Sequence, residues 1–263
     1  MLKFFKNMKK YHKYAVRSAK AELKSEVADS YLNWLWWIIE PFAFMLIYTF
    51  IFGIVFKNSE PYFASFVMIG LAAWEFFNRM LTGSVKLIIN NRNLVTKVYI
   101  PKYILLYSKS LTYLFKMAIS LCLAFGLMIF QHVPFTWHII LIIPILFILY
   151  IIAFGAGLIL MHFGVTLNDL ANLTNIFLRM LFYLSGVFFN IQVRMKSFKS
   201  FIRIGLLRIN PAAMIMYELR NVSIYGMLPS FKWLSIWLVI GIALTMIGVH
   251  VIHKYENSYA KVI

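Results

Sequence analysis

The chain has 263 residues, of which 62% are hydrophobic and 13% are charged, and its mean hydropathy is +0.78. A soluble domain contains about 45–50% apolar and about 25% charged residues, so the composition excludes a water-soluble monomer. The net charge of +17 does not indicate nucleic-acid binding, because the basic residues alternate with membrane-length apolar runs. The composition therefore predicts an all-α polytopic membrane protein, with a single transmembrane domain over residues 1–263.

The first 33 residues have the periodicity of an amphipathic helix. Lysines and arginines occupy one face, and the opposite face carries an apolar stripe of Phe4, Met8, Tyr11, Ala15, Ala19 and Leu23. This pattern predicts an interface helix over 1–33, with its basic face toward anionic lipid headgroups and its stripe toward acyl chains. An ordinary solvated helix is the alternative interpretation.

Six transmembrane helices are predicted to follow, at about 35–56, 62–80, 103–130, 138–162, 170–190 and 232–252. Glu40 and Arg179 lie inside the first and fifth spans. Because a charge in hydrocarbon is costly, we expect both to face a protein interior or a water-filled path. Lys109 and Lys116 in the third span either do the same or reach the interface with their long side chains.

Basic residues predict the orientation of these spans. With the N-terminus inside, the inner segments contain seventeen lysines and arginines and the outer segments contain eight. This asymmetry predicts cytoplasmic N- and C-termini for a multi-pass protein of the cytoplasmic membrane.

Two segments between the spans have distinctive patterns. Residues 84–100 lie on the predicted cytoplasmic side and read as a short helix with a polar tip, closed by Pro101, that offers a docking surface. Residues 190–231 lie on the predicted outer side and are basic, yet they also contain regularly spaced apolar residues. They predict two short amphipathic helices, broken at Asn210–Pro211, that dip into the outer membrane face.

No catalytic, nucleotide or metal site is predicted. None of the twelve glycines is followed by lysine, so the chain lacks the G-x-x-x-x-G-K loop that cradles phosphates. The six histidines lack metal-site spacing. A lipid-processing membrane enzyme stays open as an alternative, although no reactive constellation supports it.

Several motifs together indicate a family. A basic N-terminal helix leads into Leu35–Pro41, and the later motifs, in chain order, are Ile69–Leu71 with Trp74–Phe77, Asn93–Pro101, Thr166–Leu170, and Arg208–Ala213 with Tyr217 and Arg220. In this order the chain resembles the permease subunit of ABC-type exporters for cell-surface polymers, the polysaccharide and teichoic-acid export permeases. Many polysaccharide relatives carry Ser-Pro where this chain has Ser185–Gly186, so Leu184–Phe189 is more similar to the teichoic-acid branch.

The resemblance implies a homodimer bound to two copies of a separate ABC ATPase. That ATPase would bind ATP and Mg²⁺, so this chain would hold no cofactor and would not be an enzyme by itself. The implied substrate is a lipid-linked anionic polymer, with wall teichoic acid favoured. An exporter of O-antigen or capsular polysaccharide, or of drugs or lipids, is the alternative. Anionic membrane lipids are further expected partners, and nucleic acid is not.

The resemblance also assigns roles to residues. Segment 84–100 would be the coupling helix, and its ATPase-coupling residues would be Asn90, Asn91, Arg92, Asn93, Leu94, Val95 and Lys97. Segment 190–231 would form gate helices at the outer exit. The expected residues of the substrate path or gate are Glu40, Arg179, Lys199, Arg203, Arg208, Asn210, Pro211, Tyr217 and Arg220.

Overall fold

The structure, a computed structural model, describes residues 2–28, 30–57, 60–194 and 200–262, and it contains no β-strand within these ranges. Two 3₁₀-helices, Asn33–Leu35 and Trp137–Leu141, and one π-helix, Thr49–Val55, accompany the α-helices. The all-α prediction is confirmed. The α-helices are α1 (Leu2–Val27), α2 (Trp36–Tyr48), α3 (Phe63–Val85), α4 (Leu87–Asn90), α5 (Arg92–Lys97), α6 (Tyr103–Phe130), α7 (Ile142–Thr166), α8 (Leu170–Leu184), α9 (Ile191–Arg194), α10 (Ser200–Ile209), α11 (Pro211–Ser223) and α12 (Phe231–Val262).

Four helical runs within the described ranges are long and apolar enough to cross a membrane: Asn33–Val55, Tyr103–Phe130, Trp137–Thr166 and Phe231–Glu256. α3 has 23 residues, which gives a length of about 35 Å against a bilayer core of about 30 Å. α8 has only 15 residues and is therefore shorter than such a core. The prediction of several membrane-spanning helices is confirmed, and the number six stays a prediction.

α3 lies at the centre of the bundle. It packs against α6 and α7 along its length, and α2, α8 and α11 contact it from other sides. Most of its residues are buried, among them Phe66, Phe76 and Met80. α7 and α12 form the other extensive helix pair. The elements that carry the candidate site therefore all pack against one central helix.

The predicted amphipathic helix is present as α1, but its apolar stripe packs against protein. Phe4, Ala15 and Ala19 are buried, and α1 lies along α6. The Phe4 ring contacts the Tyr103 ring, and the Ser108 hydroxyl donates to the Ala15 carbonyl at 3.1 Å. The prediction that the stripe faces acyl chains is wrong, because α6 provides the apolar surface instead. The basic residues of α1 are exposed.

Two ion pairs hold the second half of α1 against α6. Lys109 pairs with Glu22, and Lys116 pairs with Glu26. The lysines are seven residues apart on α6 and the glutamates four apart on α1, so each set lies along one face of its helix. Of the two interpretations of these lysines, the structure supports a protein-facing one. Cys122, on the same helix, is exposed.

The bundle has two distinct ends. At one end the start of α1 contacts the start of α6 through Phe4 and Tyr103. The C-terminal part of α12 reaches the same end, where the negative charge of Glu256 raises the pKa of the Tyr99 phenol. At the other end Tyr225 donates to Glu60 at 2.7 Å. Segment 84–100, the start of α1 and the end of α12 therefore lie opposite the end that holds α10 and α11.

The packing of α1 on α6 predicts different effects for two alanines of α1. Ala15 is fully buried and Ala21 is exposed. We expect Ala15→Leu to lower the free energy of unfolding by about 1–3 kcal/mol, because it overpacks the α1–α6 contact, and Ala21→Leu to leave it unchanged. Tryptophan fluorescence during unfolding in detergent measures both. Equal stability of the two variants would mean that α1 does not pack on α6.

Candidate functional site

A groove of about 470 Å³ lies between α2, α3, α6 and α8. It contains five charged side chains: Glu40 from α2, Glu75 and Arg79 from α3, Lys116 from α6 and Arg179 from α8. Its other walls are rich in aromatic side chains, among them Trp37, Phe44, Tyr48, Trp74, Phe182 and Tyr183. Glu40 and Arg179, which the sequence predicts to face a protein interior or a water-filled path, thus line one groove.

Most of the charge in this groove is compensated within the protein. Arg79 lies between two carboxylates, with Nη2 at 3.3 Å from Oε1 of Glu40 and Nε at 3.2 Å from Oε2 of Glu75. This cluster joins α2 to α3. Lys116 is paired with Glu26 from α1. The sequence shows Glu75 and Arg79 at helical spacing, but it does not reveal that Glu40 is their partner.

Arg179 is the exception in the groove. Its side chain is exposed, and it forms no ion pair with any residue that the structure describes. An exposed guanidinium offers a planar set of donors that suits phosphate or carboxylate groups. Arg179 is therefore the groove's available cation.

The groove is bordered by apolar helix surfaces that no described residue covers. On α2, Phe42 and Leu46 are exposed, and on α8, Ile176 and Met180 are exposed. These surfaces can face lipid or another protein chain.

Arg208 lies at the opposite end of the bundle from segment 84–100, and its charge is also compensated. Its Nη1 is 3.0 Å from Oε1 of Glu218, whose side chain is fully buried. Glu218 also accepts from the amide of Asn221 and from the backbone N–H of Ser230. The Arg208 guanidinium lies 5.5 Å from the Trp233 ring centre. The structure thus gives Arg208 an internal partner, and its predicted contact with substrate stays a prediction.

The predicted helix break at Asn210–Pro211 is confirmed. Asn210 is the N-cap of α11, and its side-chain oxygen accepts from the backbone N–H groups of Ala212 and Ala213. Pro211 occupies the first helical position, where its missing N–H costs nothing. The Asn210 amide also donates to the Ser185 hydroxyl at 2.8 Å. Asn210 therefore begins α11 and ties it to the end of α8.

The other predicted gate residues have different positions. Tyr217 is half-buried, with its ring centre 5.8 Å from the Arg208 guanidinium. Arg220 is buried and donates to three backbone carbonyls. Lys199 lies outside the described residues. Arg203 belongs to α10, and its side chain is likewise outside the described part of the chain.

The prediction of one short helix in segment 84–100 is wrong: after the end of α3 the segment forms two short helices, α4 and α5, separated by Asn91. The Asn91 amide donates to the Leu87 carbonyl at 2.8 Å, which fixes the break. The predicted coupling residues divide into three groups: Asn90, Arg92, Asn93 and Lys97 are exposed, Asn91 and Leu94 are half-buried, and Val95 is buried.

Two exposed apolar residues in this segment are absent from the prediction. Val98 is 48% exposed and Tyr99 is 68% exposed, and they follow α5 directly. Val98 has extended backbone, and Pro101 ends the segment. Since the residue before a proline is also biased toward an extended conformation, the sequence did contain a signal for an extended stretch here.

Comparisons with known proteins identify a family and three relatives. The model of the ABC-2 type transporter family matches residues 17–224. An O-antigen export system permease protein RfbA from Myxococcus xanthus is 25% identical over 99% of both chains. Two proteins of the same name from Klebsiella pneumoniae are each 24% identical over 92% of both chains.

The family match covers well over half of the chain, and it confirms the family predicted from the motifs. Proteins of this family are membrane subunits of transporters, so the alternative of a lipid-processing enzyme is excluded. The chain belongs to the ABC-2 type transporter family.

Proposed function

We propose that the chain is the transmembrane subunit of an ATP-driven exporter that moves a lipid-linked cell-surface polysaccharide across the cytoplasmic membrane. The observation that carries this proposal is the groove between α2, α3, α6 and α8, with its aromatic walls and its largely compensated charge. The names of the three relatives, O-antigen export permeases, support the same substrate class.

The chemistry of the groove fits a sugar polymer. Aromatic faces such as those of Trp37, Phe44 and Tyr183 are flat apolar surfaces with a negative quadrupole, and the C–H face of a sugar ring packs well on them. Because Arg79 and Lys116 are already paired, the groove offers little net positive charge to a long polyanion. These features favour a polysaccharide over a polyphosphate.

Wall teichoic acid is the second candidate substrate. It is favoured by the resemblance of Leu184–Phe189 to the teichoic-acid branch, and by Arg179, which could bind phosphate groups. Either substrate is a polymer attached to a lipid diphosphate, so Arg179 also suits the head of the lipid carrier.

The proposed assembly is a homodimer with two copies of an ABC ATPase, which bind ATP and Mg²⁺. A second copy facing the exposed apolar surfaces of α2 and α8 would close the open side of the groove into a channel. The chain would cross the membrane six times, through Asn33–Val55, α3, α6, α7, α8 with the residues after it, and α12. Both termini and segment 84–100 would be cytoplasmic, with α10 and α11 at the outer exit.

Polymer export is tested with the chain and its ATPase in proteoliposomes. We expect a lipid-linked polysaccharide to stimulate ATP hydrolysis and to become accessible on the far side of the membrane. Stimulation by a lipid-linked polyglycerol phosphate alone would select teichoic acid. Stimulation by lipophilic drugs, with no response to either polymer, would contradict the proposal.

Arg179 is expected to bind the anionic head of the carrier. A hydrogen bond to a charged group contributes about 1.5–3 kcal/mol, so Arg179→Gln should lower transport by roughly tenfold or more and leave basal ATP hydrolysis unchanged. Arg17→Gln, which changes an exposed arginine on α1, is the control. Unchanged transport by Arg179→Gln would remove Arg179 from the substrate path.

Tyr99 is expected to be an anchor for the ATPase. Exposed aromatic residues dominate many interfaces, and truncation of such an anchor typically costs about 2 kcal/mol or more. Tyr99→Ala should therefore reduce the amount of ATPase that co-purifies with the chain, as should Arg92→Glu. The control is Tyr31→Ala, at a fully exposed tyrosine outside this segment. Equal recovery of ATPase with Tyr99→Ala and Tyr31→Ala would argue against docking at Tyr99.

A further inference from the structure

Arg220 links three separate parts of the fold. It lies on α11 and is only 4% exposed. Its Nε donates to the carbonyl of Phe66 in α3 at 3.1 Å, and Nη1 and Nη2 donate to the carbonyls of Gly186 and Val187 at 2.8 and 2.7 Å. Its guanidinium also lies 3.5 Å from the centre of the Phe66 ring. One side chain thus joins α3, α11 and the segment that follows α8.

The partners of Arg220 indicate a positional role. Burying a guanidinium costs several kcal/mol of desolvation, and an apolar side chain would fill the same space without that cost. Within the described part of the chain Arg220 forms no ion pair, and every acceptor it uses is a backbone carbonyl. Its planar fork of donors fixes the relative directions of these carbonyls, which a lysine cannot do.

One glycine leaves room for this guanidinium, and a second glycine provides one of its acceptors. A Cβ atom on Gly70 of α3 would lie 2.2 Å from Nη2 of Arg220, so any larger residue there would displace the side chain. Gly186, whose carbonyl accepts from Nη1, has φ of +66°, a conformation that glycine adopts without strain.

α8 is attached differently on its two sides. Its end is tied to α11 by Arg220 and by the Ser185–Asn210 hydrogen bond. Toward α7 and α12 it borders an apolar groove of about 830 Å³, lined by Phe177 from α8 and Ile152 from α7, among others. Such a gap leaves α8 few packing contacts that would oppose a shift in that direction.

We propose that Arg220 is a positioning residue that makes the outer end of α8 and the helix α11 move as one unit. α8 carries Arg179 and Tyr183 on the wall of the groove between α2, α3, α6 and α8, called here the aromatic groove. A displacement of that wall is then transmitted to the exit end of the protein through Arg220. The mechanical tie is independent of the substrate, whereas its consequence for transport rests on the proposed export function.

Hydrogen exchange of the full chain, reconstituted in lipid nanodiscs with its ATPase, tests the tie. Arg220→Lys keeps the charge but loses the fork, and Gly70→Ala keeps Arg220 but fills its space. We expect both to speed amide exchange by about tenfold or more in 184–191 and 211–225, since those hydrogen bonds are lost, and to leave α6 and α7 unchanged. The controls are Arg17→Lys, at an exposed arginine, and Gly126→Ala, where a Cβ meets nothing within 4 Å.

Two results would overturn the proposal. Unchanged amide exchange in Arg220→Lys would mean that a positive charge alone holds α8 and α11 together, without the planar fork of donors. Faster exchange in all helices, with a lower melting temperature, would mean that Arg220 only stabilises the fold. In transport, we expect Arg220→Lys to lose polymer export while basal ATP hydrolysis continues, and retained export would overturn the coupling. If the unmodified protein exports no polymer, the proposed function fails. The hydrogen-exchange result would still test whether Arg220 links α8 to α11.

Discussion

Hydrocarbon offers no hydrogen-bond partner, and this constraint determines how a helix can enter the membrane region and turn back. α11 is almost entirely buried, so the polar groups around it must be satisfied by the protein itself. Asn210 caps its N-terminus, Glu218 is paired with Arg208, and Arg220 donates all of its observed hydrogen bonds to carbonyls. The polar residues of this segment therefore make the burial of α11 possible.

The same constraint explains the distribution of charge in the aromatic groove. Arg79 is shared between Glu40 and Glu75, and Lys116 is paired with Glu26, so the cost of placing these charges at membrane depth is offset within the protein. Arg179 has no such partner among the described residues. Under the proposed export function, one free cation suits a site that must also release its substrate, because each additional positive charge would hold an anionic group more tightly.

Local sequence patterns predicted the helices well. They could not predict which residues contact one another in the folded chain. The periodicity of α1 and the Asn-Pro break before α11 follow from residue order alone, and both are present. Whether the stripe of α1 meets lipid or protein is not encoded in its periodicity, because both surfaces are apolar. Likewise the sequence assigned Arg208 to the substrate path or gate and gave it no carboxylate partner, since Glu218 lies beyond the helix break and reaches Arg208 only in the folded chain.

The length of α8 connects these observations. Its 15 residues give about 22 Å, less than a hydrocarbon core of about 30 Å. In the proposed six-span topology, the residues after α8 would therefore complete the path without regular helical hydrogen bonds. The last carbonyls of any helix lack intrahelical donors, and in this position water cannot supply them. Arg220 supplies donors to Gly186 and Val187, just beyond the helix end. A short α8 leaves carbonyls beyond its end without helical donors, and the buried Arg220 provides donors for two of them.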